Sequence, residues 1–145
     1  MNENFVGHKV KVLSNLIRRE FEKMPPVQES NRLTGMQGWM IGYLYDHREE
    51  DIFQRDIESR FNIRRSTVTG ILQLMEKNGL IVRESVATDA RLKKIVLTQK
   101  AIDNHTQVQG YIVELEEEIC RGISAEKLQI FQEVIDQMIQ NIKEP

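Results

Sequence analysis

The feature that most constrains this chain is a change of hydrophobic period at Gly79. Before it, Val68, Ile71, Leu72 and Met75 recur at helical spacing within residues 64–78. After it come two short β-branched runs, "LIVRE" and "KKIVLT", separated by "SVATDARL". A chain that passes from one period to the other must stop its helix and turn, and Gly79 stands where a left-handed cap is usual. The spacing predicts a helix over 64–78, closed by Gly79, and then a β-hairpin with a long loop.

Helical spacing governs the rest. Phe5, Val6, Val10, Leu13, Ile17, Phe21 and Met24 form a first stripe, and Pro25-Pro26 is expected to end it, with a polar loop running to Leu33. Thr34 and Gln37 have capping-box spacing, and Met36, Trp39, Met40, Tyr43 and Leu44 continue an apolar face that stops near "DHREED". "DIF" reads as a short strand, and residues 54–61 as a short helix with Ile57 and Phe61 inward. From Gln99 the helical period resumes through Ile123, and Ser124 caps a last helix. In that helix Leu128, Phe131, Ile135, Met138 and Ile142 are spaced 3, 4, 3 and 4, a coiled-coil-like seam.

Charge adds what periodicity cannot. The formal net charge is only −2. Residues 60–94 nevertheless hold eight Lys/Arg against three Asp/Glu, a local +5, whereas residues 102–145 hold three against nine, a local −6. A basic middle is what a polyanion partner requires. On a helical wheel of about 100° per residue, Ser66, Thr69, Gly70, Gln73 and Lys77 oppose the apolar side of the 64–78 helix, with Arg65 flanking. That face is short-chained and free of acids until Glu76. It suits the major groove, and Gly70 permits close approach. Backbone N–H groups near Ser66 favour phosphate.

Other chemistries fit poorly. The single cysteine, Cys120, excludes an intramolecular disulfide, suits a reducing cytoplasm, and is expected to be a buried structural thiol. The histidines His8, His47 and His105 are scattered, so no metal or other cofactor is expected. There is no glycine-rich phosphate loop, nucleophile elbow or acid–base set, and an enzyme is not expected. The start lacks the pattern of a signal peptide, and no stretch approaches the roughly 18 apolar residues of a membrane span.

The order helix, short helix, turn, longer helix, hairpin is that of a winged helix-turn-helix. "RRSTVTGILQLMEKNGLIVRE" followed by "DARLKKIVLT" resembles the MarR family of bacterial transcriptional regulators. The resemblance rests on Ser66-Thr67-Val68-Thr69, on Glu76-Lys77-Asn78-Gly79-Leu80-Ile81, and on the wing pattern Asp89, Arg91, Leu97 and Thr98. It extends over nearly the whole chain. Two positions depart from the family pattern: Arg64 stands where a serine cap is frequent, and Gly70 where a longer polar residue is.

The expected fold is mainly α with a small β-hairpin wing, as one domain over 1–145. It comprises a DNA-binding lobe over 34–98 and dimerisation helices over 1–24 and 99–145. DNA contacts are expected from Arg64, Arg65, Ser66, Thr67, Thr69, Gly70, Gln73 and Lys77 on the recognition helix, and from Asp89, Arg91, Lys93 and Lys94 on the wing. Asp89 is expected to brace the turn and orient Arg91. The apolar terminal helices exceed what one small lobe covers, which places Phe5, Val10, Leu13, Leu128, Phe131, Ile135, Met138 and Ile142 in a homodimer interface.

The resemblance further implies a repressor on a pseudo-palindromic operator, released by a small aromatic or lipophilic effector. The effector would bind in a cleft lined by Leu16, Ile17, Trp39, Met40, Tyr43 and Ile112. The alternatives are a winged-helix module that binds protein, or a regulator without an effector.

Overall fold

The structure, a computed structural model, describes residues 2–30 and 35–144. Among them are seven helices and a two-stranded sheet: α1 (Val6–Glu22), α2 (Pro25–Ser30), α3 (Gly35–Asp46), α4 (Gln54–Phe61), α5 (Arg65–Lys77), β1 (Ile81–Val86), β2 (Asp89–Leu97), α6 (Gln99–Cys120) and α7 (Ala125–Lys143). This is the expected mainly helical, winged helix-turn-helix arrangement. The chain divides into two compact units, residues 1–111 and 112–145, with the boundary inside α6.

In the first unit some of the apolar positions predicted from spacing converge, joined by Ile41 and Ala101, whereas Met36 and Trp39, expected on the apolar face of α3, are exposed. Met40, Ile41 and Leu44 of α3, Ile57 of α4, and Val68, Leu72 and Met75 of α5 are buried, as are Ile81 and Ile95 of the hairpin and Ala101 and Val108 of α6. Each large side chain buried this way contributes about 1.5–3 kcal/mol. An exposed pair such as Arg18–Glu22, at 3.2 Å, adds under about 1 kcal/mol. Packing, not surface charge, therefore holds the lobe together. Phe21 closes the α1 end of this core. Its ring lies so close to Gly38 that a Cβ there would sit 2.5 Å from Cζ, so glycine is required at that position.

Three local expectations are corrected. Pro25-Pro26 does end α1, but it also begins α2, where a polar loop was expected. Proline is at home in a first helical turn because its missing N–H would have no partner there. "DIF" is not a strand: Ile52 O accepts one hydrogen bond from Ile95 N (2.7 Å), and a single bond does not make a ladder. The hairpin loop is short rather than long, because β1 and β2 run on to the pair Val86–Asp89 and leave only Ala87 and Thr88 between them. The capping box at Thr34 lies outside the described residues.

The helix-turn-helix is set by two backbone reversals. Asn62 ends α4 in the left-handed region (φ 53°), a conformation asparagine tolerates, and Ile63 N bonds Glu58 O at 3.1 Å. Gly79 takes φ +73° after α5, as its position predicted. Thr98 then joins the wing to α6: its hydroxyl donates to Gly79 O (2.6 Å), and Ala101 N donates to it in turn (3.3 Å).

In the second unit, Gly122 (φ +77°) reverses the chain after α6, and Ser124 caps α7 by accepting from Lys127 N at 3.2 Å. No residue of α7 is buried. No helix among the described residues is long and apolar enough to cross a membrane.

Candidate nucleic-acid interface

Helix α5 presents the face expected of it. Val68, Leu72 and Met75 point into the core, while Arg64, Arg65, Ser66, Thr67, Gly70, Gln73 and Lys77 are exposed and Thr69 is half-buried. No side chain caps the helix start at Arg64, so the first-turn N–H groups are left for an outside acceptor. Gly70 has open space around it: a Cβ built there meets nothing within 4 Å.

The acids among these cations are largely neutralised from within. Glu76 pairs with Arg83 of β1 at 3.6 Å, which removes its charge as an obstacle on the α5 face. Asp89 accepts from Arg91 N (2.9 Å) and from Arg91 Nε (3.3 Å), an Asx-type turn together with a side-chain clasp. The anticipated bracing role of Asp89 is thus present in the geometry. Register explains why a brace is needed. Ser85 pairs with Lys93 but Val86 with Asp89, so Ala90, Arg91 and Leu92 form an excursion of β2 with no partners across the ladder. At its crest the Arg91 side chain is 92% exposed.

Lys93 is exposed on the same strand, whereas Lys94 departs from expectation. Its ammonium lies 3.5 Å from Asp51 and 4.0 Å from Glu84, and the side chain is only 32% exposed. Alternation along β2 turns consecutive lysines to opposite faces, and the face of Lys94 meets the 47–52 loop. It fastens the wing to the lobe instead of reaching outward. Arg64, Arg65 and Lys77 enter no ion pair among the described residues.

Sequence reasoning missed Gln54, the first residue of α4. Its Nε2 donates to Thr69 Oγ1 (2.8 Å), and that hydroxyl donates to Arg65 O (2.9 Å). It also missed Arg83 as the partner of Glu76. Neither was legible, because both contacts depend on how neighbouring elements cross.

The residues expected in an effector cleft differ in exposure. Leu16 and Trp39 are exposed, and Ile17, Tyr43 and Ile112 are half-buried. Met40 is wholly buried in the lobe core and offers no surface to a cleft, a correction that follows from its place on the inward side of α3. Tyr43 packs edge-on against Phe61 (5.9 Å between centroids). Burial, and then the carboxylates of Asp56 and Glu50, raise its phenol pKa above the ordinary value. A depression of about 310 Å³ under the wing is lined by Ile52, Asp51, Lys94 and Ile102, and none of the expected cleft residues borders it. Cys120, expected to be buried, is half-exposed. No cluster of three metal-ligating side chains occurs among the described residues.

A profile of the MarR family matches residues 33–92, the stretch that carries α3, α4, α5 and most of the wing. The crystal structure of the transcription regulator MarR from Oenococcus oeni PSU-1 is 30% identical to this chain, with a TM-score of 0.79; the match covers 94% of this chain and 99% of that one. The chain belongs to the MarR family. It is accordingly a DNA-binding transcription regulator, and the basic face of α5 and the wing lie in the part of a MarR protein that the profile describes. Two further structures are similar across nearly their whole length. The S. aureus MepR–DNA complex shares the fold at 24% identity and TM-score 0.86, covering 98% of this chain and 99% of that one. The heme sensor protein PefR from Streptococcus agalactiae in complex with heme is 26% identical, with TM-score 0.65, covering 95% of this chain and 94% of that one.

Proposed function

We propose that this MarR-family protein is a repressor that binds a pseudo-palindromic operator as a homodimer, each lobe reading one half-site. One observation carries the reading. The exposed face of α5 and the crest of the wing hold Arg64, Arg65, Lys77, Arg91 and Lys93, while Glu76 and Asp89 are occupied by intramolecular partners. Such a surface attracts phosphate without an opposing free acid. Arg65, Ser66, Thr67, Thr69, Gly70 and Gln73 then meet base edges and backbone in the major groove, and Arg91 reaches an adjacent minor groove.

Dimerisation is supported within each unit separately. Phe5, just before α1, and Val10 and Leu13 on it are exposed, at 60%, 43% and 41%. On α7, Phe131 and Ile142 are exposed and Leu128, Ile135 and Met138 only half-buried. These stripes are long enough to need a partner, and a second copy satisfies both. A two-fold dimer requires half-sites about one helical turn apart. Release by a small aromatic or lipophilic effector is the accompanying reading, supported by the exposed Trp39 and Leu16 and the half-buried Tyr43. Occlusion of a promoter by the bound dimer is the mode of repression.

Selection of bound sequences from random duplex DNA tests this reading. A palindromic consensus is expected, with affinity falling by roughly a hundredfold or more between 50 and 200 mM salt as counterions are released. Affinity that does not change with salt, or a consensus without internal symmetry, would overturn it.

A further inference from the structure

Thr69 stands on the flank of the recognition helix, and its hydroxyl is already engaged. The proton goes to Arg65 O at 2.9 Å. One lone pair receives Gln54 Nε2 at 2.8 Å. The same amide lies 3.4 Å from Arg65 O, so both its hydrogens are directed at this one turn of α5. A hydroxyl in that state has no donor left for a base edge and keeps a single lone pair. The part of the side chain without a polar partner is the methyl group.

We infer that Thr69 recognises a thymine through contact between its own methyl and the 5-methyl group of the base. Gln54, on the preceding helix, is the positioning residue that holds Thr69 in the rotamer required. This deepens the DNA-recognition reading above and rests on it. The chemistry is consistent on both sides. The thymine methyl is the one apolar mark in the major groove, and a threonine methyl is a natural match for it. A threonine in a helix otherwise divides between two side-chain rotamers, because either allows a bond to a carbonyl of the preceding turn. Donation from Gln54 is available to only one arrangement of the oxygen, so the amide selects a rotamer without touching DNA. Gly70 follows immediately, exposed and with no atom near its absent Cβ, so nothing on that side keeps a base away.

The test uses the operator recovered by selection and a matched duplex in which uracil replaces thymine, which deletes the 5-methyl group and nothing else. For the wild-type protein, each deleted methyl is expected to weaken binding roughly fourfold, and two half-sites together by more than tenfold. In Thr69→Ser, which keeps the hydroxyl bonds and removes the methyl, the two duplexes should bind alike. In Thr69→Val, which keeps a methyl, the thymine preference should persist. Gln54→Ala should shrink the thymine-to-uracil affinity ratio while leaving affinity for the uracil duplex nearly unchanged. A purely structural role or a phosphate contact for Gln54 would instead lower both affinities equally, and that outcome defeats its assignment. Equal wild-type affinity for the two duplexes, or no thymine in the selected half-site, overturns the proposal while DNA recognition stands. Recovery of no preferred sequence at all would defeat the DNA-recognition reading and this inference together.

Discussion

Substituting alanine for Gly70 separates what the fold needs from what a bound partner needs. Gly70 lies in the interior of α5, and it is not among the glycines with positive φ. A Cβ there meets nothing within 4 Å, so the folded chain has no steric use for glycine. Glycine in a helix interior costs about 0.8–1.0 kcal/mol relative to alanine, and part of that cost lies in the freer unfolded chain. Gly70→Ala should therefore stabilise the protein by about 0.5–1 kcal/mol, raising Tm by roughly 1–4 °C for a chain of this size. On DNA the sign reverses. An added methyl at a close-packed contact costs about 1 kcal/mol or more, and over two half-sites about 2 kcal/mol, which is roughly thirtyfold in affinity. Urea unfolding at matched protein concentration and fluorescence anisotropy on the selected operator measure the two effects separately. A variant that is more stable and binds as tightly as wild type would remove Gly70 from the contact surface. A variant that is less stable would show that the folded helix needs the glycine after all.

Asp89→Ala should weaken DNA binding several-fold although it removes a negative charge, because Arg91 is deprived of both its Asx turn and its clasp. Tighter binding in that variant would show that the acid only repels phosphate. Arg91→Ala should weaken binding about tenfold and reduce the slope of the salt dependence by about one ion for each phosphate that Arg91 neutralises, without altering the melting curve. Phe131→Glu, in the exposed seam of α7, should convert a dimer to a monomer in analytical ultracentrifugation; a dimer that survives it would exclude that seam from the interface. His105 provides a pH test. It is buried against Tyr45, with ring centroids 4.7 Å apart, and its Nε2 has no hydrogen-bond partner. Burial lowers its pKa below the ordinary histidine value, and the Asp46 carboxylate offsets this only in part. Below about pH 6.5 the unfolded chain takes up a proton that the folded one resists. The contribution of His105 is therefore present at higher pH and lost as pH falls, which gives wild type a steeper decline in unfolding free energy from pH 7.5 to 5.5 than His105→Gln.

Wherever a period or a cap carried the information, the fold was legible from residues alone. The 54–61 helix, the Gly79 reversal and the Ser124 cap follow from local chemistry, since each involves groups within a few residues of one another. The apolar side of α5 followed from spacing because one face of a helix must be buried whatever lies opposite, but that of α3 did not: Met36 and Trp39 are exposed, and Ile41 and Gln37 are buried instead. The extent of the hairpin did not follow. Residues 86–92 lack a clear alternation, and the ladder reaches Val86–Asp89 only by placing Ala90, Arg91 and Leu92 outside the register. The helical start at Pro25 was missed because proline reads equally as a stop and as a first turn.

The candidate site divides in the same way. Its basic charge, its short-chained helix face and the pairing of Asp89 with Arg91 are contained in sequence order, because Asx turns and helix faces are local. Three other features were settled only when the elements packed. Lys94 was drawn to Asp51, forty-three positions away in the chain, and so left the outward surface. Arg83 was brought against Glu76, and the charge of that acid was cancelled. Gln54 was set beside Thr69, whose hydroxyl it engages. Spacing along a chain determines which residues share a face. Which of them remain free for a partner depends on contacts between elements, and those exist only after the helices have crossed and the wing has closed on the lobe.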